Sequence, residues 1–325
     1  MISSSLPAEL KAALDTKLLG LSRGEIAARA AQISKTYRDG GSSAAIRSEA
    51  DALAYGLARM PATYAAVTAC LNASQEARPD FAPQTLFDVG AGPGTATFAA
   101  AEAFSSLRTF ALFDANPALR ALALDLTQAS MRFNELTYQA GEARALLAKA
   151  NAADFVIASY LIGELGEAER RELTEQLWSK ASDTLLIVEP GTPNGYDRIL
   201  AARAQLIAAS AHVLAPCPHD AACPLQAPDW CHFAQRLPRS RAHKEVKGAE
   251  VPFEDEKFSY VILTRRPVRQ HRARVLAPPH LSKVKVTAKL CTPNGLGFTQ
   301  VPHRDKGAYA AARRWRWGDA VMDKG

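Results

Sequence analysis

A glycine-rich segment, DVGAGPGT, runs from Asp88 to Thr95 between an apolar run and a helix-like stretch. A glycine turn between a buried strand and a helix lets a ligand approach the backbone closely, and it directs the free N–H groups of the helix towards that ligand. Dinucleotide-binding loops would require a third glycine at position 95, where this chain has threonine. The segment therefore predicts either a ligand-binding loop of another kind or a turn that only allows a helix to pack closely on a sheet.

The spacing GxGxG after an acidic residue resembles the first motif of S-adenosylmethionine-dependent methyltransferases. Asp114 ends the next apolar run, where a carboxylate can accept hydrogen bonds from both ribose hydroxyls. Glu142 looks like the acidic position of that family that contacts adenine, and Ser159 ends the run expected beside the cofactor. The resemblance implies a cofactor-binding set of Asp88, Gly90, Gly92, Gly94, Asp114, Glu142 and Ser159.

No catalytic residue is identified from the sequence. Enzymes of this fold that methylate adenine N6 carry an Asn/Asp-Pro-Pro-aromatic motif after the fourth strand, where this chain reads SYLIGEL. Cytosine-C5 enzymes use a cysteine nucleophile, and no cysteine lies near the fourth or fifth predicted strand. Glu164 and Glu189 could face a substrate, or they could cap a helix and form turns.

Most of the cysteines cluster towards the C-terminus. Three lie in APCPHDAACPLQAPDWCHF and one in AKLCTPNG, and clustered thiols in a chain of this size indicate a metal site rather than a disulfide framework. The gaps of five and seven residues differ from the short knuckles of zinc sites, and three thiols with a distant fourth suit a four-iron cluster. A zinc site that includes His219 or His232 stays open, as do ordinary buried cysteines. The candidate ligands are Cys217, Cys223, Cys231 and Cys291.

The glycine loop, the segment CPHDAACPLQAPDWCHFAQRLPR, the stretch EDEKFSYVILTR and a later cysteine in a basic tail together resemble one family. It is the methyltransferase-like family of mitochondrial small-ribosomal-subunit proteins and assembly factors, which has bacterial homologues. The resemblance extends from about Tyr55 to the C-terminus. It implies a 4Fe-4S cluster on the four cysteines and binding to small-subunit rRNA during subunit maturation, and it leaves methyl transfer open.

Apolar runs alternate with helical stretches from Thr85 onwards, which predicts a parallel sheet with crossover helices. The predicted fold class is α/β, with a Rossmann-like class I methyltransferase sheet, an N-terminal helical region and a cluster-bearing, basic C-terminal extension. Pro61 is expected to break or kink the third N-terminal helix. The predicted strands are TLFDVG, RTFALFD, NELTYQA, DFVIASYL, DTLLIVEP and FSYVILTR. The predicted regions are a helical region at 1–80, an S-adenosylmethionine-binding core at 81–215, a cysteine-rich iron-sulfur insertion at 216–257, and the last strands with a basic RNA-binding extension at 258–325.

The net charge of +6 is unevenly distributed along the chain. Residues 231–325 carry 20 Lys and Arg against 8 Asp and Glu, whereas residues 1–230 carry 19 against 25. The basic excess is interleaved with Tyr309, Trp315 and Trp317, and it predicts contact with nucleic acid, with a solvated basic surface as the alternative. The candidate phosphate contacts are Arg236, Arg239, Arg241, Lys244, Lys247, Lys283, Lys285, Lys289, Arg304, Lys306, Arg313, Arg314 and Arg316.

The N-terminal composition bears on location. The first 22 residues contain acidic side chains and no Arg, unlike a mitochondrial presequence, and no apolar run approaches the ~20 residues that a membrane span needs. These features predict a bacterial cytoplasmic protein without a membrane partner. The oligomeric state is left open, with a monomer as the default expectation.

The combined features predict a protein that binds the rRNA of the maturing small ribosomal subunit and transfers methyl groups to RNA from S-adenosylmethionine. The alternative is a non-catalytic iron-sulfur assembly factor with the same fold. A methyltransferase acting on protein or a small molecule is more remote, because a small substrate needs no extended basic surface.

Overall fold

The computed structural model describes residues 1–128, 130, 132–133, 135–268 and 271–321. Asn134 of the predicted third strand lies outside the described residues, as do 269–270 and 322–325 of the predicted C-terminal extension. The helices are α1 (Ala8–Lys17), α2 (Arg23–Arg38), α3 (Glu49–Ala77), α4 (Thr95–Ala103), α5 (Pro117–Gln128), α6 (Ala143–Lys149), α7 (Glu167–Lys180), α8 (Pro193–Ala208), α9 (Arg241–Lys247) and α10 (Lys306–Ala312).

The N-terminal region is helical, as predicted. Ser22 caps α2 by accepting a hydrogen bond from the Glu25 backbone N–H, and Ser48 and Asp51 form a reciprocal capping box at the start of α3. The helix α3 continues through Pro61 to Ala77, so the predicted break is wrong, while the predicted kink stays a prediction. The helix buries 17 of its 29 residues, and this packing outweighs the one hydrogen bond that proline removes.

The main sheet is built from apolar runs with a polar residue at several carboxyl ends. Its strands are β1 (Thr85–Val89), β2 (Thr109–Asp114), β3 (Glu135–Ala140), β4 (Ala153–Ser159), β5 (Ala181–Pro190), β6 (His212–Ala215), β7 (Phe233–Pro238) and β8 (Phe253–Thr264). They are ordered β3-β2-β1-β4-β5-β8-β6, and β7 pairs with the first half of β8. The first five strands run parallel, and β8 is antiparallel to β5, β6 and β7. This is the strand order of Rossmann-like class I methyltransferases, and it confirms the predicted fold class.

Helices cover both faces of this sheet. One apolar core joins α1 to α5 with one face, through residues such as Tyr64, Leu112 and Leu122. A second core joins α6, α7 and α8 with the other face, through residues such as Leu177 and Leu206. Because both faces are buried, the carboxyl edge of the parallel strands is where a ligand can enter.

A second, smaller sheet follows the main one. Its strands are β9 (Ala273–Val275), β10 (His280–Leu281), β11 (Lys285–Thr292), β12 (Gly295–Pro302) and β13 (Ala320–Val321). Their order is β10-β11-β9-β13, with β12 pairing with β11. The helix α10 packs Tyr309 and Ala312 against Val286 on one face of this sheet. This sheet presents the basic C-terminal segment on a folded support.

Candidate cofactor cleft and cysteine cavity

The glycine loop connects β1 to α4 in a backbone conformation that favours glycine. Gly90, Gly92 and Gly94 have φ values of 70°, 52° and 78°. A Cβ atom on Gly90 would lie 2.8 Å from Leu161 Cδ1, so this position has no room for a side chain. The Gly90 backbone N–H donates to the Phe113 carbonyl, which joins the loop to the end of β2. The loop therefore presents bare backbone at the carboxyl edge of the sheet.

Asp114 ends β2 and faces this loop. Its Oδ2 accepts a hydrogen bond from the Gly92 N–H at 2.9 Å, and its Oδ1 accepts one from the Asn116 N–H at 2.7 Å. Burial raises the pKa of the Asp114 carboxyl above its usual value, and the backbone donors oppose that shift. Each carboxylate oxygen keeps a second acceptor site, so the pair can still bind two hydroxyls.

The structure brings five of the seven predicted cofactor residues to one cleft. They are Gly90, Gly92, Asp114, Glu142 and Ser159. Asp88 does not line it, because its side chain is fully buried and accepts hydrogen bonds from the Thr97 N–H and hydroxyl. That burial raises the pKa of the Asp88 carboxyl to about 7. Gly94 does not line the cleft either, and it is the N-cap residue of α4. Asp88 and Gly94 therefore hold the glycine loop and the start of α4 in place without facing the cleft.

Glu142 lines the cleft while capping α6. Its carboxylate accepts hydrogen bonds from the backbone N–H groups of Arg144 and Ala145, at 3.1 and 2.9 Å. These donors and the Arg144 guanidinium hold the pKa of the Glu142 carboxyl below its usual value despite some desolvation. Capping of α6 is sufficient to explain a glutamate at position 142, and contact between Glu142 and adenine stays a prediction.

Two further carboxylates line the cleft. Burial raises the pKa of Glu164 and of Glu189 to about 7 in each case. Glu189 is the second-to-last residue of β5, accepts a hydrogen bond from the Gly163 N–H at 3.2 Å and pairs with Arg198. Glu189 therefore holds the turn after β4 in place. Of the two roles considered for it from the sequence, this contact corresponds to turn formation.

The N-terminal helices supply a wall that the sequence did not predict. Tyr37 from α2 and Tyr55 and Arg59 from α3 line the cleft. The Asn116 amide donates to the Ser43 carbonyl at 2.8 Å and thereby ties the segment between these helices to the end of β2. No local signal marks these side chains, because only the packing of α3 on the sheet brings them to the cleft.

The four candidate cysteines line a single cavity between the two sheets. Cys291 lies on β11, and the other three lie in the segment between β6 and β7. The Tyr196 hydroxyl donates to the Cys223 sulfur at 3.2 Å, and the Cys291 sulfur lies 3.4 Å from His219 Nε2. Cys70 is buried within α3 and does not line the cavity.

Two buried arginines also line this cavity. Arg203 and Arg274 are only 4% and 2% exposed, and no described carboxylate lies within 4.0 Å of either guanidinium. The charged groups donate to carbonyls, such as Arg203 to His219 and Arg274 to Pro216. Arg203 occupies a core-facing position of α8, seven residues after buried Tyr196, and a charge at such a position is the signal that could have found it. Two buried positive charges favour an anionic occupant or thiolates in this cavity.

The metal prediction is not confirmed by the structure. In the described part of the chain, no three or more His, Cys, Asp or Glu side chains are grouped so that they could hold a metal ion. The chemistry of the cavity nevertheless fits a four-thiolate group, since it has four cysteines, two cations and, among the described lining residues, no carboxylate. The 4Fe-4S assignment stays a prediction, and the zinc alternative also stays open because His219 Nε2 lies next to the Cys291 sulfur.

The candidate phosphate contacts divide into two groups. Five of them form ion pairs with their own chain, namely Arg236, Arg239, Arg241, Lys247 and Lys289. Lys289 pairs with Asp229. The remaining ones beyond residue 280 have no carboxylate within 4.0 Å among the described residues, and they are Lys283, Lys285, Arg304, Lys306, Arg313, Arg314 and Arg316. Lys244 on α9 also has no such partner among the described residues. Most of the available positive charge therefore lies on the second sheet and around α10.

The three aromatic residues interleaved with these charges serve the fold. Tyr309 is buried, Trp315 packs against the two small cores of the second sheet, and Trp317 packs against the main core. Trp315 and Trp317 are half-buried, so their contact with nucleic acid stays a prediction, whereas burial of Tyr309 leaves little of its ring for stacking.

Comparison with known proteins decides the family. A family model described as mitochondrial small ribosomal subunit Rsm22 matches residues 49–322. The chain belongs to the Rsm22 family. This membership confirms the resemblance drawn from the glycine loop and the cysteine segment.

Curated relatives of this Rsm22 family member include two longer proteins. The human mitochondrial ribosome assembly protein METTL17 is 31% identical over 290 residues, with 83% of this chain and 62% of METTL17 covered. The mitochondrial Rsm22-cox11 tandem protein 2 of Schizosaccharomyces pombe is 26% identical over 323 residues, with 82% of this chain and 42% of that protein covered. The chain thus spans about three fifths of the human relative and two fifths of the yeast one.

Among solved structures, the magnesium protoporphyrin IX methyltransferase of Synechocystis, with S-adenosylmethionine bound, is 14% identical with a TM-score of 0.41. The match covers 63% of the Rsm22 family chain and 80% of that protein. The fold assignment rests on the strand order of the main sheet.

The prediction of a bacterial cytoplasmic location is contradicted by these matches. The Rsm22 description and both curated relatives are mitochondrial, so the comparisons point to mitochondria. The prediction rests on the composition of the first 22 residues. These residues lie outside the matched segment 49–322, on which the family assignment depends. Within the described residues, no helix is long and apolar enough to cross a membrane.

Proposed function

We propose that this chain binds the maturing small ribosomal subunit through its rRNA and methylates RNA with S-adenosylmethionine as donor. The observation that carries the proposal is the group of Lys and Arg side chains beyond residue 280 that have no carboxylate partner among the described residues. Membership of the Rsm22 family supports the choice of the small ribosomal subunit. The phosphate backbone of RNA is the partner that such a surface attracts most strongly.

The cleft at the carboxyl edge of the main sheet is the proposed cofactor site. Asp114 would accept hydrogen bonds from the ribose hydroxyls, and the backbone of Gly90 and Gly92 would let the cofactor approach closely. Bound S-adenosylmethionine supplies an electrophilic methyl group. The chain's own part is to orient it and to exclude water with the wall formed by Tyr37 and Tyr55.

The cysteine cavity is the proposed site of a 4Fe-4S cluster. Cys217, Cys223 and Cys231 would hold it from the segment before β7, and Cys291 would hold it from β11. The cluster would link the two sheets through its metal–thiolate bonds, because its ligands come from both sides of the cavity. Arg203 and Arg274 would offset the negative charge of the four thiolates.

A non-catalytic assembly factor is the second candidate, and one feature of the cleft favours it. After β4, the Leu161 side chain packs against Gly90, and the Tyr160 hydroxyl donates to Glu256 at 2.9 Å. Neither side chain offers a base to a substrate in this arrangement. The cofactor would then act only as a ligand that stabilises the cleft.

Methyl transfer separates the two candidates. Oxygen-free, iron-loaded protein is incubated with radiolabelled S-adenosylmethionine and immature small subunits from cells lacking this protein. We expect label in the RNA with the wild-type chain and none with Asp114→Ala. Absence of label, although the wild-type chain binds both cofactor and subunit, would contradict methyl transfer and favour the assembly factor.

A further inference from the structure

One aromatic side chain of the second sheet is exposed to solvent. Phe298 on β12 is 72% exposed, whereas the aromatic residues near it in sequence, such as Tyr309, are buried or packed against a core. Its neighbour two positions earlier on the same face, Leu296, is 39% exposed. The two side chains form a small exposed apolar patch on this strand, and the Phe298 ring is free to contact an external partner.

The strand register fixes which side chains surround Phe298. Phe298 stands opposite Lys289, Gln300 stands opposite Thr287, and opposite residues of an antiparallel pair share a face. We call the solvent-accessible part of this surface the Phe298 face, and it consists of His280, Lys285, Thr287, Lys289, Leu296, Phe298 and Gln300. Cys291 stands opposite Leu296 and shares the face, but it is buried in the cysteine cavity. The Phe298 face therefore combines one phenylalanine ring with hydrogen-bonding and positively charged side chains.

Charge on the Phe298 face is positive. The Lys285 ammonium donates to the Gln300 side-chain carbonyl at 2.8 Å and has no described carboxylate within 4.0 Å. Lys283 and Arg304 flank the face at the ends of β11 and β12, and they too lack such a partner among the described residues. Asp229 is the one described carboxylate paired with a member of this face, through Lys289.

We propose that the Phe298 face binds single-stranded RNA, with one unpaired base stacked on the Phe298 ring and adjacent phosphates held by Lys283, Lys285 and Arg304. This inference rests on the proposed RNA-binding function and names the form of RNA that this surface takes. Double-stranded RNA keeps its bases stacked inside the helix and offers no base plane to the ring. A sheet with an exposed aromatic ring and flanking cations is the arrangement that binds unpaired bases.

The Phe298 face is a poor match for a protein partner. A protein-docking surface of this size would be a contiguous apolar patch with a polar rim. Here Leu296 and Phe298 are the apolar members, and Lys285, Thr287 and Gln300 surround them. The positive charge complements phosphates, and the isolated ring provides one stacking position.

The test measures binding of the full chain to fluorescently labelled single-stranded oligoadenylate and to an abasic oligomer with the same number of phosphates. Phe298→Ala is expected to weaken oligoadenylate binding about tenfold, with an unchanged salt dependence, because it removes stacking and no charge. Phe298→Trp should retain binding. The abasic oligomer should bind wild type and Phe298→Ala equally, since it has no base to stack.

Phe253→Ala is the matched control, because Phe253 is 38% exposed and lies under the Arg236 guanidinium on β8. It should bind oligoadenylate as the wild type does, and both variants should keep the wild-type unfolding temperature. Equal binding by Phe298→Ala and the wild type would overturn the inference while leaving RNA binding intact. If the wild type binds neither oligomer nor small subunits, the proposed function fails and the inference with it.

Discussion

Replacement of Asp114 by alanine is expected to weaken S-adenosylmethionine binding by about 100-fold or more, since it removes charged acceptors for the ribose hydroxyls. The same change releases the Gly92 and Asn116 N–H groups, which the carboxylate holds at 2.9 and 2.7 Å. Loss of ligand contact and loss of loop order therefore act in the same direction. Isothermal titration calorimetry of the purified chain measures the effect.

Asp154→Ala provides the matched control for Asp114. Asp154 also holds backbone donors, accepting from the N–H groups of Gln84 and Thr85, but it lies at the amino end of β4 and does not line the cleft. This variant should bind the cofactor within about twofold of wild type, because it leaves the cleft unchanged. Similar losses in the two variants would show that the effect comes from general loosening of the sheet and would contradict the ribose role of Asp114.

Replacement of Cys291 by serine is expected to remove the metal group. Wild-type protein prepared without oxygen should contain about four iron atoms and about four sulfides per chain and absorb near ~400 nm. The serine variant should lose most of both, because a four-iron cluster needs a thiolate at each corner. Its unfolding temperature should also fall by roughly 5 °C or more, because the link between the two sheets is lost.

Cys70→Ala is the control for the loss of a buried thiol. Cys70 is fully buried in α3 and lies outside the cysteine cavity, so this variant should keep its iron and sulfide. A colourless wild-type preparation that contains zinc would contradict the cluster. Retention of iron by both variants would contradict the assignment of Cys291 as a ligand.

The parallel part of the main sheet was predictable from the sequence. Strands buried on both faces read as continuous apolar runs, and β1, β2, β4 and β5 match the predicted ones within a few residues. The short strand β6 and the strand β7 were missed, because β6 has four residues and β7 lies next to the cysteine segment and ends in proline. Both become strands by pairing with β8, which local sequence does not reveal.

The second sheet was also missed, although β11 carries a signal. In KVTAKLCT the buried residues Val286, Ala288 and Leu290 alternate with half-buried polar ones, which is the pattern of a strand with one covered face. The high density of Lys and Arg favours an extension instead and masks this alternation. Because β12 supplies the pairing partner, the same alternation places Phe298 and Lys285 on one surface.

The cofactor site was predictable in part. The spacing of the glycines and Asp114 depends on local geometry at the ends of β1 and β2, and the structure brings these residues together. The same spacing could not show which of these residues line the cofactor cleft and which hold the glycine loop in place. Asp88 is fully buried and belongs to the second group. Arg203 and Arg274 reach the cysteine cavity only through tertiary packing, so sequence spacing could not relate them to the cysteines.

The most direct test of the central claim is ultraviolet crosslinking of the full chain to immature small ribosomal subunits, followed by sequencing of the attached RNA. We predict crosslinks to small-subunit rRNA that are strongly reduced in the combined variant Lys283→Gln, Lys285→Gln, Arg304→Gln. The control variant Lys11→Gln, Lys149→Gln, Arg171→Gln removes the same number of charges from α1, α6 and α7 and should crosslink as the wild type does. Crosslinks that are absent from small-subunit rRNA, or equally reduced in both variants, would contradict the claim.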